Sequence, residues 1–254
     1  LEKAEGKMIV AAAQTVPHQQ DIVKNLADHC RLTVLAAQHG AQLLAFPELS
    51  LTGYERERAR QLAFTPDDPR LDKLRGLAAM HNMIIIAGAP VQMNSLLYIG
   101  AFIFMPDMSM GIYTKQYLHT GEEICYASSF AYNPMLQLED ETITLAICAD
   151  ITNPRHARDA AKRNSTIYLP MIFYSPAGIG QAHTLLSDYA KKYHMAVLMS
   201  NYGGPTWDNR ASGGQSAVWN NRGELLATLG SGGEGLIIAE KVHNSWTGRI
   251  VKTV

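Results

Sequence analysis

Three short stretches of this 254-residue chain carry side chains that could do covalent chemistry together. They are FPELSLTGY around Glu48, YTKQYL around Lys115 and LAICADITNP around Cys148. A carboxylate, an ammonium and a thiol provide a proton shuttle, an electrostatic support and a nucleophile, the set that thiol-based hydrolysis of a carbon–nitrogen bond requires. A free thiol has a pKa near ~8.5 and becomes a nucleophile when a cation or base lies beside it. Cys148 ends a strand-like run. The strand-to-helix junction after it would aim backbone N–H groups, that of Ala149 first, at an oxyanion, with the helix macrodipole behind them. Glu48 stands between Pro47 and Leu49, an apolar setting that raises a carboxyl pKa toward the range useful for proton transfer. Lys115 follows alternating apolar residues in an extended, partly enclosed segment, where its charge would favour the thiolate and hold a developing oxyanion. Each residue alone also has an ordinary reading: an inert buried cysteine, a lysine stretched along an apolar surface, a loop acid paired with an arginine. Only their coincidence argues for a site. Cys30, on a helical stripe, and Cys125, in GEEICYASS, read as structural.

The elements that must position these residues follow from periodicity. Residues 8–14 (MIVAAAQ) read as a buried strand, and 20–39 as an amphipathic helix whose apolar stripe is Ile22, Leu26, Cys30 and Val34, ended by Gly40. Strands are expected at 42–46, 83–88 and 96–105, with a helical segment near 69–81. In the second half, 142–148 reads as a strand, and Pro154 opens a helix running to about Asn164. The remaining strands are 165–171, 196–201, SAVWN, GELLATL and EGLIIAEK, with a helix over 181–194. Strand–helix alternation predicts an α/β fold with a largely parallel sheet, and the final hairpin-like strands predict antiparallel edges. Sites in open α/β sheets gather beyond the carboxyl ends of strands, so Glu48 and Cys148 are expected on one edge of the fold.

Bulk properties narrow the function classes. Apolar residues make up 47% and charged residues 18%, enough for a core and unlike a disordered chain. A formal net charge of −1 argues against nucleic acid or an anionic membrane as partner. The local run of Arg56, Arg58 and Arg60, interrupted by Glu55 and Glu57, reads as an exposed helix face. No apolar run reaches the ~20 residues of a membrane span, and LEKAEGKMIV lacks the apolar core of a signal peptide. Three cysteines without a CxxC pair point to a reducing cytoplasm. The chain opens on Leu1, and residues 1–7 are expected to be foreign to the domain or disordered.

Taken together, the motifs resemble the nitrilase superfamily of carbon–nitrogen hydrolases. The resemblance runs from AAAQTVP through LLAFPELSLTGY, YTKQYLHTGEE and ICADITNP to SNYGGPTW and GGQSAVWNNRGELLA. It implies one domain over 1–254, built as a four-layer α-β-β-α sandwich, and a Glu-Lys-Cys triad. Glu48 would be general base and acid, Lys115 the oxyanion support and Cys148 the nucleophile. A second glutamate supporting the lysine would be Glu122 by spacing, with Glu123 as its rival. The resemblance implies no cofactor or metal and a homodimer or higher homo-oligomer, with the helix 181–194 and WTGRIVKTV as contact elements. Cys148-Ala149-Asp150 is similar to the amidase and carbamoylase branches rather than to the Cys-Trp-Glu of true nitrilases. Pro154 is followed by Arg155 where many amidase-like members have Glu, and Thr152 stands where some carry Arg; both differences bear on substrate class.

Other signals are weaker. GSGGEG (230–235) satisfies GxGxxG but lies between strand-like runs, so it reads as a turn. The nine histidines form no metal-binding motif. Pocket candidates are Tyr54, Tyr174, Ser175 and Trp207, with Arg155 or Arg210 available for a substrate carboxylate. The substrate stays open among N-carbamoyl amino acids, ω-amides, aliphatic amides and N-carbamoylated polyamines. Two rivals stand beside an amide or carbamoyl hydrolase: an idle scaffold subunit, and a glutaminase domain feeding ammonia to a partner.

Overall fold

A computed structural model describes residues 7–253. The expectation for residues 1–6 lies outside these, and Lys7 already belongs to the first strand, β1 (Lys7–Gln14). Among the described residues the strands form two sheets of mixed direction rather than one largely parallel sheet. The first holds β1, β2 (Leu43–Ala45), β3 (Ile84–Met93), β4 (Leu96–Phe104), β5 (Met110–Thr114), β12 (Gly235–Val242) and β13 (Ser245–Lys252). Its order is β13-β12-β1-β2-β3-β4-β5. The second holds β6 (Met135–Leu138), β7 (Glu141–Ile147), β8 (Ile167–Met171), β9 (Ala196–Met199), β10 (Ala217–Trp219) and β11 (Leu225–Thr228), in the order β11-β10-β9-β8-β7-β6. Only the centres, β1-β2-β3 and β7-β8-β9, are parallel; the flanking pairs are antiparallel. The physical reason is connection length: a helix must carry the chain back for a parallel pair, whereas the short β3–β4 and β12–β13 turns permit only hairpins.

Strand parity builds the layers. On β1, Met8, Val10 and Ala12 join the core between the sheets, while Ile9, Ala11 and Ala13 pack under α1 (Ile22–Gln38) and α3 (Asp72–His81). The second sheet is covered on its other face by α4 (Pro154–Lys162) and α5 (Ile179–Tyr193). The result is a mixed α/β fold of two sheets between helical layers. None of the helices among the described residues is long and apolar enough to cross a membrane.

The stripe expected on α1 is out of phase. Val34 is exposed and Cys30 half-buried, while Asn25, Leu26, His29, Leu32, Thr33 and Ala36 face inward. Polar residues occupy that face because they have partners there. Asn25 Nδ2 donates to the carbonyls of His18 and Leu51, and His29 Nδ1–H donates to Asn25 O at 2.6 Å.

Candidate active site

Three strand ends deliver the three reactive side chains. Pro47 has no N–H to continue the β2 ladder, and the chain turns at 48–52, with Leu49 at φ 52°. Gly88 on β3 makes room for this turn, because a Cβ there would press into the Pro47 carbonyl and the Leu49 nitrogen. The turn is anchored on both sides. Tyr202 Oη donates to Glu48 O at 2.5 Å. Ser50 Oγ accepts from Gly88 N at 3.2 Å and donates to His29 Nε2 at 2.9 Å. Burial holds His29 neutral, at about 4, and its Nδ1–H is committed to a carbonyl, so Nε2 is the acceptor.

Lys115 follows the edge strand β5, its N–H bonded to Ile99 O at 2.9 Å. Cys148 follows β7 with φ 42°, a strained elbow for a residue with a Cβ. A five-residue 3-10 turn, Cys148–Thr152, begins there and leads into α4, which starts at Pro154 as expected. The α4 macrodipole therefore does not reach Ala149. Asp150 organises both neighbours at once. It accepts from Ile147 N (2.9 Å) below the elbow and from Gln116 N (3.0 Å) and Tyr117 N (2.9 Å) beside Lys115. Tyr113 Oη donates to it at 2.6 Å. The reactive residues thus converge across two facing sheets, not along one sheet edge as the parallel arrangement implied.

At the centre, Lys115 Nζ donates to Glu48 Oε1 at 2.7 Å and lies 2.9 Å from Oε1 and 2.8 Å from Oε2 of Glu122. All three are shut off from solvent, at 0%, 0% and 1% exposure for Lys115, Glu48 and Glu122. Glu123 instead caps the Gly121 N–H at the surface. Tyr54 Oη and the His119 N–H each donate to Glu122 at 2.7 Å. Burial raises the Glu48 carboxyl to about 7, with the Lys115 ammonium opposing the shift and the Glu122 charge adding to it. Burial would discharge Lys115, but Glu48, Cys148 and Glu122 outweigh it and hold the ammonium protonated. Burial and then the Glu48 charge push the Cys148 thiol well above its ordinary value, against the pull of Lys115. Lys115 favours the thiolate by charge, as expected, but burial and the Glu48 charge outweigh that pull. The Cys148 sulfur lies 3.5 Å from Phe173 O, and Glu48 Oε2 has no hydrogen-bond partner among the described residues.

A cavity of about 350 Å³ opens above this cluster. Cys148, Ala149, Glu122, Tyr54, Tyr174, Ser175 and Trp207 line it, together with Phe173, Thr152 and His119. Glu48 and Lys115 lie behind that lining. Arg210 reaches the cavity, while Arg155 starts α4 on an exposed face and does not. Arg56 was missed. The helix it was assigned to shrinks to α2 (Ala59–Leu62), and Arg56 turns inward, donating from Nε (3.1 Å) and Nη2 (2.9 Å) to Tyr54 Oη. Charge spacing alone gave no sign of this, because its partner is a tyrosine two residues away.

Comparison with known proteins places the chain. The family profile described as Carbon-nitrogen hydrolase matches residues 9–247. The chain belongs to the carbon–nitrogen hydrolase family. Among the members of this family it resembles, a protein named Nitrilase from Pyrococcus abyssi is 27% identical over 162 residues, 62% of each chain. An Arylacetonitrilase from Aspergillus kawachii is 30% identical over 110 residues, 39% of this chain and 34% of that protein. The chain thus spans less than two thirds of the length of these relatives. In fold, it is similar to the amidase of Nesterenkonia sp. AN1 solved with butyramide, with TM-score 0.84, 23% identity and coverage of 95% and 94% of the two chains. A second structure of that amidase carries the acetamide moiety of fluoroacetamide on its active-site cysteine; its TM-score is also 0.84.

Proposed function

We propose that this protein hydrolyses the amide or N-carbamoyl carbon–nitrogen bond of a small molecule through a thioester on Cys148. The observation that carries the reading is the burial of Lys115 between Glu48 and Glu122, directly beneath a cavity floored by Cys148. Family membership and the cysteine adducts of the Nesterenkonia amidase support it.

In the proposed reaction Glu48, poised at about 7, takes the Cys148 proton as the sulfur attacks the carbonyl carbon. The oxyanion is held by the Lys115 ammonium and the Ala149 N–H. The tetrahedral adduct collapses as Glu48 passes its proton to the departing nitrogen, so ammonia or amine leaves and a thioester remains. Glu48 then takes a proton from water as the hydroxide adds to the thioester; the adduct collapses by breaking the C–S bond, the acid is released, and Glu48 returns its proton to the sulfur. Glu122, fixed by Tyr54 and His119, keeps Lys115 charged and oriented throughout. An idle scaffold would not need three buried charges, which are costly unless used or fully paired.

The test is ammonia release across an amide, carbamoyl and nitrile panel. Parent protein should turn over amides or carbamoyl compounds, and Cys148→Ala should abolish this with little change in melting temperature. Full activity in the variant would remove Cys148 from the mechanism. Selective glutamine hydrolysis would favour the glutaminase reading. We also infer a homo-oligomer; a monomer mass by light scattering at micromolar concentration would exclude it.

A further inference from the structure

Two guanidinium groups stand over one indole in the cavity that Cys148 floors. Arg56 Cζ lies 4.5 Å from the Trp207 ring centroid, and Arg210 Cζ lies 4.4 Å from it. Their electrostatic situations differ. Arg56 is bonded to Tyr54, and the charges of Glu122 and Glu48 act on it. Together with Lys115 it balances those two carboxylates. For Arg210, by contrast, the Trp207 ring is the side-chain contact among the described residues, with no carboxylate paired to it. Glu57, at the edge of that ring, accepts from Trp207 Nε1 at 3.0 Å.

Arg210 is nevertheless held in place. Thr206 N donates to Arg210 O at 3.0 Å and Arg210 N to Trp207 O at 3.1 Å, closing a tight loop through Asp208 and Asn209, both at φ 54°. Thr206 Oγ1 accepts from Tyr54 N at 2.9 Å, so the loop is fastened to the segment that contacts Glu122. A guanidinium stacked on an indole, with its N–H groups uncommitted, is suited to bidentate recognition of a carboxylate.

We propose that Arg210 determines specificity and that the substrate is a small amide carrying a carboxylate, bound by Arg210 with its scissile carbon at Cys148. The chemical part of this rests on the hydrolase reading above; the binding part does not.

Succinamate and butyramide differ by a carboxylate in place of a methyl group, and the methyl ester of succinamate controls for size. Parent protein should show kcat/KM about tenfold or more higher for succinamate than for butyramide or the ester. Arg210→Gln should bring that ratio near one, and Arg210→Glu should invert it. Calorimetry on Cys148→Ala protein, with and without Arg210→Gln, reads the same preference without turnover. Equal affinities there, or a ratio that survives Arg210→Gln, would overturn the proposal. If neither amide is hydrolysed but Arg210-dependent binding of succinamate persists, the carboxylate subsite stands and the hydrolase reading falls. If both are hydrolysed without preference, the reverse holds.

Discussion

At the scale of single residues, the site is a problem of sharing one cation. Lys115 faces two buried carboxylates and the Cys148 sulfur, and burial with the Glu48 charge pushes the thiol up against the pull of Lys115. In the proposed mechanism Glu48 takes the thiol proton as the sulfur attacks, so kcat/KM should fall as pH drops through about 7, where that carboxyl becomes protonated. An acid limb near 4.5 in the pH–rate profile would show that burial does not set its titration. The same shift has a stability consequence. The folded carboxyl binds its proton more tightly than an unfolded one near 4.5, so the stability it contributes is complete below that value and is lost as pH rises through about 7. Glu48→Gln removes this slope. Its melting temperature should gain on the parent's between pH 5 and 8, and a constant difference would contradict the assignment. Tyr54, kept a phenol by burial and by the charges of Glu48 and Glu122, donates to Glu122. A hydrogen bond to a charged group is worth roughly 1.5–3 kcal/mol, so Tyr54→Phe should lower kcat by about tenfold or more with the fold retained by circular dichroism. The residue types at 48, 115 and 148 were legible in the sequence because their chemistry is uncommon in apolar surroundings. Arg56 was not, since nothing in its spacing distinguishes a guanidinium on a tyrosine from one in water.

At the scale of elements, the site depends on how strand ends are shaped. Strands over 8–14, 96–105 and 142–147 were readable because both faces are buried and the runs are apolar. The extended segment before Lys115 was readable from its alternation and is β5, but the short edge strand β6 was not, because pairing rather than composition makes it a strand. The phase of α1 was misread for a related reason: Asn25, His29 and Thr33 look solvent-facing until their partners are known. Gly88 is the element-level test. A methyl group there would collide with the backbone on both sides of Glu48, so Gly88→Ala should displace the turn and reduce activity at least tenfold. The stability loss should be about 1–3 kcal/mol by denaturant titration, as for other overpacked sites. Unchanged kinetics would show that the turn tolerates the shift.

At the scale of the whole molecule, catalysis as proposed requires the two sheets to hold a fixed separation, because Glu48 and Lys115 belong to one and Cys148 to the other. An ion pair between Lys241 on β12 and Glu141 on β7 joins them. So does the close approach of β13 to the second sheet at Gly248, where a Cβ would lie 2.8 Å from Val218 Cγ1 and 2.9 Å from Leu226 Cβ. Gly248→Val should wedge the sheets apart, lowering stability by about 1–3 kcal/mol and activity with it. A melting curve matching the parent's would mean that β13 moves freely. The sequence alone determined the strand and helix alternation, the family resemblance and the three reactive side chains, since these follow from local periodicity and residue chemistry. Only the tertiary structure decided that two sheets carry the candidate site, that Glu122 rather than Glu123 meets Lys115, that burial pushes the Cys148 thiol up, and that Arg210 reaches the cavity while Arg155 does not. Those outcomes depend on through-space distance and on exclusion of water, and neither quantity is a property of neighbours along the chain.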